Sequence, residues 1–136
     1  MAGSVMRNKS KELAKEIIFL CKELKDSKKD SVLTNQLLRS GTMIGESIYE
    51  AQHVRGTKEF VAKLEVAEKE CYATEYWLEL LLETGYIEKE KFTSLQDTCG
   101  TIRRMTTSSI EAVKRLERLI CKIEFVRDTL AAKENG

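Results

Sequence analysis

The chain has 136 residues, with 23 Lys plus Arg against 22 Asp plus Glu, one His, four Cys, seven Gly and no Pro. That length suits one domain, which can bury roughly two-thirds of its unfolded surface. A charged fraction of 33% beside 42% hydrophobic residues excludes wholesale disorder. A net charge of +1 argues against a protein that coats nucleic acid by bulk charge alone. The missing prolines point to long helices, because Pro deletes an N–H and clashes with the preceding turn.

The first apolar run, residues 17–21, is too short for a secretory core or a membrane span. Cys21, Cys71, Cys99 and Cys121 show no Cys-x-x-Cys spacing. Together these give the expectation of a cytoplasmic protein with no membrane partner, whose thiols are reduced and buried.

Four helices are expected, over residues 10–25, 32–53, 57–84 and 88–127, and the first could start as early as Ser4. In the first, Leu13, Ile17, Leu20, Cys21 and Leu24 form one stripe. A polar break follows, in which Asp30 or Ser31 offers an N-cap. In the second, Leu33, Leu37, Gly41, Ile44, Ile48 and Ala51 share a face. Gly41 and Gly45 lie one turn apart, and each mid-helix Gly costs about 1 kcal/mol relative to Ala. A close helix–helix contact is the simplest compensation. Thr57 is the expected cap of the third helix, whose seam runs Phe60, Leu64, Ala67, Cys71, Thr74, Leu78 and Leu81 at period 3.5. Gly85 then stands where a left-handed residue closes a helix.

The fourth seam begins Phe92, Leu95, Cys99, Ile102 and Thr106 and continues Ser109, Val113, Leu116, Ile120 and Ile123, with no step missed. Its middle is small and polar, like residues 40–47 of the second helix. These two stretches are expected to face each other at a close crossing, through Gly41, Gly45 and Ser109. Residues 131–136 are expected to fray. Short loops between such seams describe an all-α, up-and-down antiparallel four-helix bundle forming one domain over 1–136.

The second helix carries Leu37-Leu38-Arg39-Ser40-Gly41-Thr42-Met43-Ile44-Gly45-Glu46-Ser47-Ile48-Tyr49-Glu50-Ala51. This resembles a conserved stretch of the four-helix-bundle family of 23S rRNA-intervening-sequence proteins. Lys58-Glu59-Phe60, Lys63-Leu64, Ala67 and residues 75–81 resemble that family's third-helix pattern. The likeness covers residues 5–119. It implies a small bacterial protein, a four-helix bundle tending to a ring-like homopentamer, and no established enzymatic activity. It also implies kinship with accessory factors of diversity-generating retroelements, in which a basic pentamer engages a reverse transcriptase and nucleic acid. The sequence departs from the pattern at Met43, Glu46, Ser47 and Tyr49, where Ser, Ala, Asn and Ala are typical. Glu46 and Tyr49 add charge and bulk to an outer face that could serve a subunit interface.

The one Glu-x-x-His pair, Glu50 and His53, has no second copy with which to complete a di-iron site, so neither metal nor cofactor is expected. Glu50, Glu70 and Glu75 are candidate buried carboxylates, with Glu50 expected to pair with Arg39 or Lys58. Charge is segregated along the chain. Residues 7–29 hold eight basic and four acidic residues, and 103–127 hold seven and three. Residues 59–90 hold nine acidic and three basic. Arg104, Arg115, Arg118 and Lys122 share one side of the fourth helix. Two readings follow: complementarity between helices or subunits, or contact with phosphates of nucleic acid. No aromatic residues interleave with them, so base stacking is not indicated. Tyr76, Trp77, Leu80, Ile18, Phe19 and Leu38 exceed what one four-helix core can take. With Tyr49, the residues Tyr76 and Trp77 are therefore candidates for a self-association interface.

Overall fold

The structure, a computed structural model, describes residues 2–27 and 31–135. Its elements are α1 (Ala2–Asp26), α2 (Ser31–Ala51), α3 (Thr57–Glu83) and α4 (Lys89–Asn135). Each helix packs on its chain neighbours and α1 also packs on α4, so the four close a square with α2 and α4 at opposite corners. Gln52 at the end of α2 donates to the Gly3 carbonyl at the start of α1 (2.8 Å), as an antiparallel pair requires. The architecture is the expected all-α four-helix bundle, with no strand among the described residues.

The core is one cluster along the predicted seams. Leu13, Ile17, Leu37, Ile44, Ile48, Leu64, Leu78, Leu81, Leu95 and Ile102 are its largest sealed apolar side chains. α1 begins at Ala2, two turns before residue 10. Met6 and Ser10 are buried and extend the stripe Leu13–Ile17 backward by steps of 3 and 4. No breaker intervenes, and Ser10 turns its hydroxyl onto the Arg7 carbonyl (2.9 Å). Of the two caps considered for α2, Asp30 lies outside the described residues, as does the Ser31 side chain.

α3 is not capped by Thr57. Thr57 is already its first helical residue, and Gly56 occupies the cap at φ 91° with no side-chain hydrogen bond. At the other end Gly85 adopts φ 80°. The Tyr86 N–H reaches the Leu81 carbonyl (2.8 Å) and the Gly85 N–H reaches Leu82 (3.1 Å). This is the paired closure that a left-handed glycine after a helix permits, and it turns Ile87 into the core.

The expected crossing of α2 on α4 does not occur, because these helices sit on a diagonal. A Cβ on Gly41 would lie 2.5 Å from Ile17 Cδ1, and one on Gly45 would lie 3.5 Å from Ser10 Oγ. Both glycines therefore serve the approach of α1. The polar residues of the same stretches face ring neighbours as well. Ser40 accepts from Thr74 of α3 (3.0 Å), and Thr106 of α4 meets Met6 of α1 (3.4 Å). Ser109 is half-buried beside Met6 and does not touch α2. Small residues recur at helical spacing on both stretches, and spacing alone cannot tell an adjacent partner from a diagonal one.

The α4 seam outlasts the bundle. Ile110 is its last buried residue and Val113 is half-buried. Leu116, Ile120 and Ile123, expected in the core, are 57%, 46% and 59% exposed. The helix continues to Asn135 rather than fraying from residue 131. Residues 114–135, about 33 Å at 1.5 Å per residue, are exposed on every face.

Gly41 and Gly45 separate the two roles of a helical glycine. Gly45→Ala meets only ordinary contacts and should raise stability by about 0.5–1 kcal/mol through helix propensity. Gly41→Ala must displace the sealed Ile17 and should lower it by about 1–2 kcal/mol net. Urea unfolding of the two variants checks the opposite signs.

Candidate functional site

The basic residues of α4 divide into three situations. Arg103 is held against α3. Its Nε and Nη2 donate to the two Glu75 carboxylate oxygens (2.9 and 3.2 Å), and its guanidinium lies 4.8 Å from the Tyr72 ring centre. The Glu75 hydrogen bonds raise its pKa further, and the fork ties α3 to α4. Arg104 points the other way. It folds back along α4 over Gly100 and donates to Thr101 Oγ1 (3.4 Å).

Arg115, Arg118 and Lys122 are brought together. They line one shallow depression with Ala112, Leu116 and Leu119 on the exposed part of α4. Spacings of 3 and 4 place them on one side of the helix. None forms an ion pair among the described residues, whereas Lys114 beside them reaches Glu65 of α3 (3.5 Å). Arg104 shares their side about 16 Å nearer the helix start at 1.5 Å per residue.

The three aromatic candidates do not form one cluster. Tyr49 is exposed on α2 and stacks on His53 (4.5 Å). Tyr76 is exposed on α3 and meets the half-buried Trp77 edge-on (5.1 Å). Ile18 and Phe19 are also exposed, so the apolar surplus does reach the surface.

Glu50 pairs with Lys63 across α2 and α3 (3.3 Å), not with Arg39 or Lys58. Arg39 stands 11 residues back along α2, about 16 Å at 1.5 Å per residue, and the facing helix supplies the nearer cation. Glu70 is buried, with Oε2 lacking a partner among the described residues. His53 sits at the exposed end of α2 with Nδ1 2.8 Å from the Tyr49 carbonyl. Among the described residues no three His, Cys, Asp or Glu side chains converge as metal ligands, and no helix is long and apolar enough to cross a membrane.

The cysteines were expected buried, and three are. Burial pushes the Cys21 thiol up to about 11, partly offset by Lys25. Cys71 is raised by its hydrogen bond with Cys99 and then by burial. Cys121 is exposed because it lies on the part of α4 that no other helix covers.

Sequence reasoning missed the Tyr72–Arg103–Glu75 cluster. Glu75 and Tyr72 on α3 stand 28 and 31 residues before Arg103 on α4, and no local periodicity links them. The acidic bias of helix three against the basic bias of helix four was the available signal.

Residues 4–108 match the sequence model of the 23S rRNA-intervening sequence protein family. The chain belongs to that family. A crystal structure of a protein of unknown function from the S23 ribosomal protein family of Bacteroides thetaiotaomicron is similar at 40% identity, with a TM-score of 0.80. The likeness covers 82% of this chain and 99% of that one. No curated protein matches this chain. The family match ends at Ser108, so Arg115, Arg118 and Lys122 lie outside the region that defines the family.

Thiol chemistry tests the burial pattern. With Ellman's reagent at pH 8 the folded chain should release one equivalent quickly, from Cys121, and all four only in denaturant. Cys121→Ser should abolish the fast phase, and a fast phase surviving it would contradict the burial of Cys21, Cys71 and Cys99.

Proposed function

We propose that this chain is a non-enzymatic, cytoplasmic helical-bundle protein that self-associates and acts as an accessory or scaffold factor on nucleic acid. The grouping of Arg115, Arg118 and Lys122, unpaired, on an exposed helix carries this reading. Arginine and lysine on an open helix surface suit phosphate oxygens, which need positive charge and donors rather than an enclosed pocket. Arg104 extends the same side. Arg103 takes no part, because its donors are committed to Glu75. Family membership and the S23 ribosomal protein label of the solved relative are consistent with a ribonucleoprotein setting.

The three cations favour binding by charge and shape, with little sequence preference, and Phe125, exposed three residues past Lys122, is the ring nearest to them along the helix. Association into a homopentamer, the state implied by the family resemblance, would repeat the three cations around a ring. Each copy would then gain from its neighbours by effective concentration. The non-enzymatic part of the reading draws on the chain's single imidazole standing at an exposed helix end. A second reading, a protein-interaction module without nucleic acid, is favoured by the apolar residues exposed along the same stretch of α4.

Fluorescence anisotropy with a structured RNA separates the two. Three phosphate contacts per chain imply a loss of about 40-fold in affinity between 50 and 200 mM salt. Arg115→Glu/Arg118→Glu/Lys122→Glu should abolish binding while circular dichroism stays helical. No binding of RNA or DNA at 50 mM salt would falsify the phosphate reading and leave the interaction module.

A further inference from the structure

The exposed part of α4 is not simply polar. At 100° per residue, Leu116, Leu119, Ile120, Ile123, Val126 and Leu130 fall within an arc of about 120°. All six are 46–59% exposed. Counted as heptads continuing the α4 seam, they occupy two core positions and one flank, wider than the seam of a two-stranded coiled coil. Arg127 interrupts the stripe and turns its Nε toward Asp128 (3.4 Å). A helix of this length with nothing packed on it is marginal in water, because helices draw most of their stability from a covered apolar face.

The two edges of the stripe carry opposite charge. Arg115 and Lys122 border one edge, and Glu117 and Glu124 border the other. When two such helices lie parallel with their stripes together, the basic edge of each meets the acidic edge of the next. An antiparallel pairing would set acid against acid and base against base. Opposite edges thus specify both the partner and its direction. Because each edge differs from the other, the contact also repeats from copy to copy and can close into a ring.

We propose that residues 114–130 of α4 form a self-association element that packs side by side and parallel with the same stretch of other copies of this chain. This deepens the self-association part of the functional reading and does not depend on phosphate binding. Arg118 points away from both edges and stays outward in the assembly, and Arg115 and Lys122, at the rim of the contact, divide their several N–H donors between the neighbour's carboxylates and the solvent side where phosphates would lie. Arg127, inside the stripe, fixes the register at some loss of stability, as a single polar residue in a coiled-coil core does.

Sedimentation equilibrium of the full chain at tens of micromolar tests the proposal. The wild-type chain should be oligomeric, and Leu116→Ser/Ile120→Ser/Ile123→Ser should reduce its mass to that of a monomer. These side chains lie outside the bundle core, so helicity and the unfolding midpoint serve to confirm that the bundle is intact. A monomeric wild type, or a triple variant that keeps the wild-type mass, overturns the proposal. Direction is read separately. Glu117→Lys/Glu124→Lys should weaken association at least tenfold at low salt, and adding Arg115→Glu/Lys122→Glu should restore it. With Ala131→Cys in a Cys121→Ser background, a short bismaleimide should link one copy to another. Absence of both the charge effect and the link overturns the parallel arrangement. The serine variants keep Arg115, Arg118 and Lys122, so RNA binding measured on them reports the phosphate reading independently of assembly.

Discussion

The mismatch in length between α4 and its partners is the constraint on which the rest of the structure depends. α1, α2 and α3 have 25, 21 and 27 residues, whereas α4 has 47. An apolar seam is buried only where another helix lies against it. The first half of α4, through Ile110, therefore belongs to the core. The second half repeats the same 3–4 spacing in solvent. Apolar surface left in water forgoes roughly 25 cal/mol per Å², so the exposed stripe is a standing drive toward association. The clustered cations and the exposed Cys121 have the same origin, since all stand where no partner helix reaches.

Within the bundle the helices are fitted by small groups and a few cross-helix polar contacts. Gly41 lets Ile17 of α1 seat against α2, and Thr74 places a hydroxyl on Ser40 between α3 and α2. Arg103 spans to Glu75 and covers Tyr72 on the α3–α4 side. That last contact has a consequence for the surface. It withdraws one arginine and one glutamate from the charge available to a partner, and of the α4 cations on the other side Arg104 stands on the covered half while Arg115, Arg118 and Lys122 stand on the uncovered half. The bundle and its extension thus use the same residue types for different ends. Arg103 fastens two helices, while Arg115, Arg118 and Lys122 remain open to a ligand or to another copy.

Much of the fold was legible in the sequence. The seams of α1, α2 and α3 are local, and Leu13, Ile17, Leu37, Ile48, Leu64 and Leu78 are buried as their spacing requires. The closure after α3 was legible because Gly85 occupies the one position where a left-handed residue satisfies the last carbonyls. The early start of α1, two residues ahead of Ser4, has a local cause too, since Met6 and Ser10 already continue its stripe. The candidate site was legible only in part. Spacing put Arg104, Arg115, Arg118 and Lys122 on one side of a helix and left Arg103 off it, but nothing local said what holds Arg103 and Arg104 in place. One is pinned to Glu75 and the other lies over Gly100, and that difference belongs to α3.

The sequence by itself determined four helices, the face each turns inward, the turn at Gly85 and the separation of basic from acidic segments. Each follows from periodicity, propensity or backbone permissiveness within a few residues. Only the tertiary structure decided which helices are neighbours. It set α2 and α4 on a diagonal, gave Gly41 and Gly45 to α1, and paired Glu50 with Lys63. It also decided where the α4 seam stops being core. A heptad pattern reads the same whether three helices cover it or none does, because burial is a property of what lies opposite and not of the spacing itself.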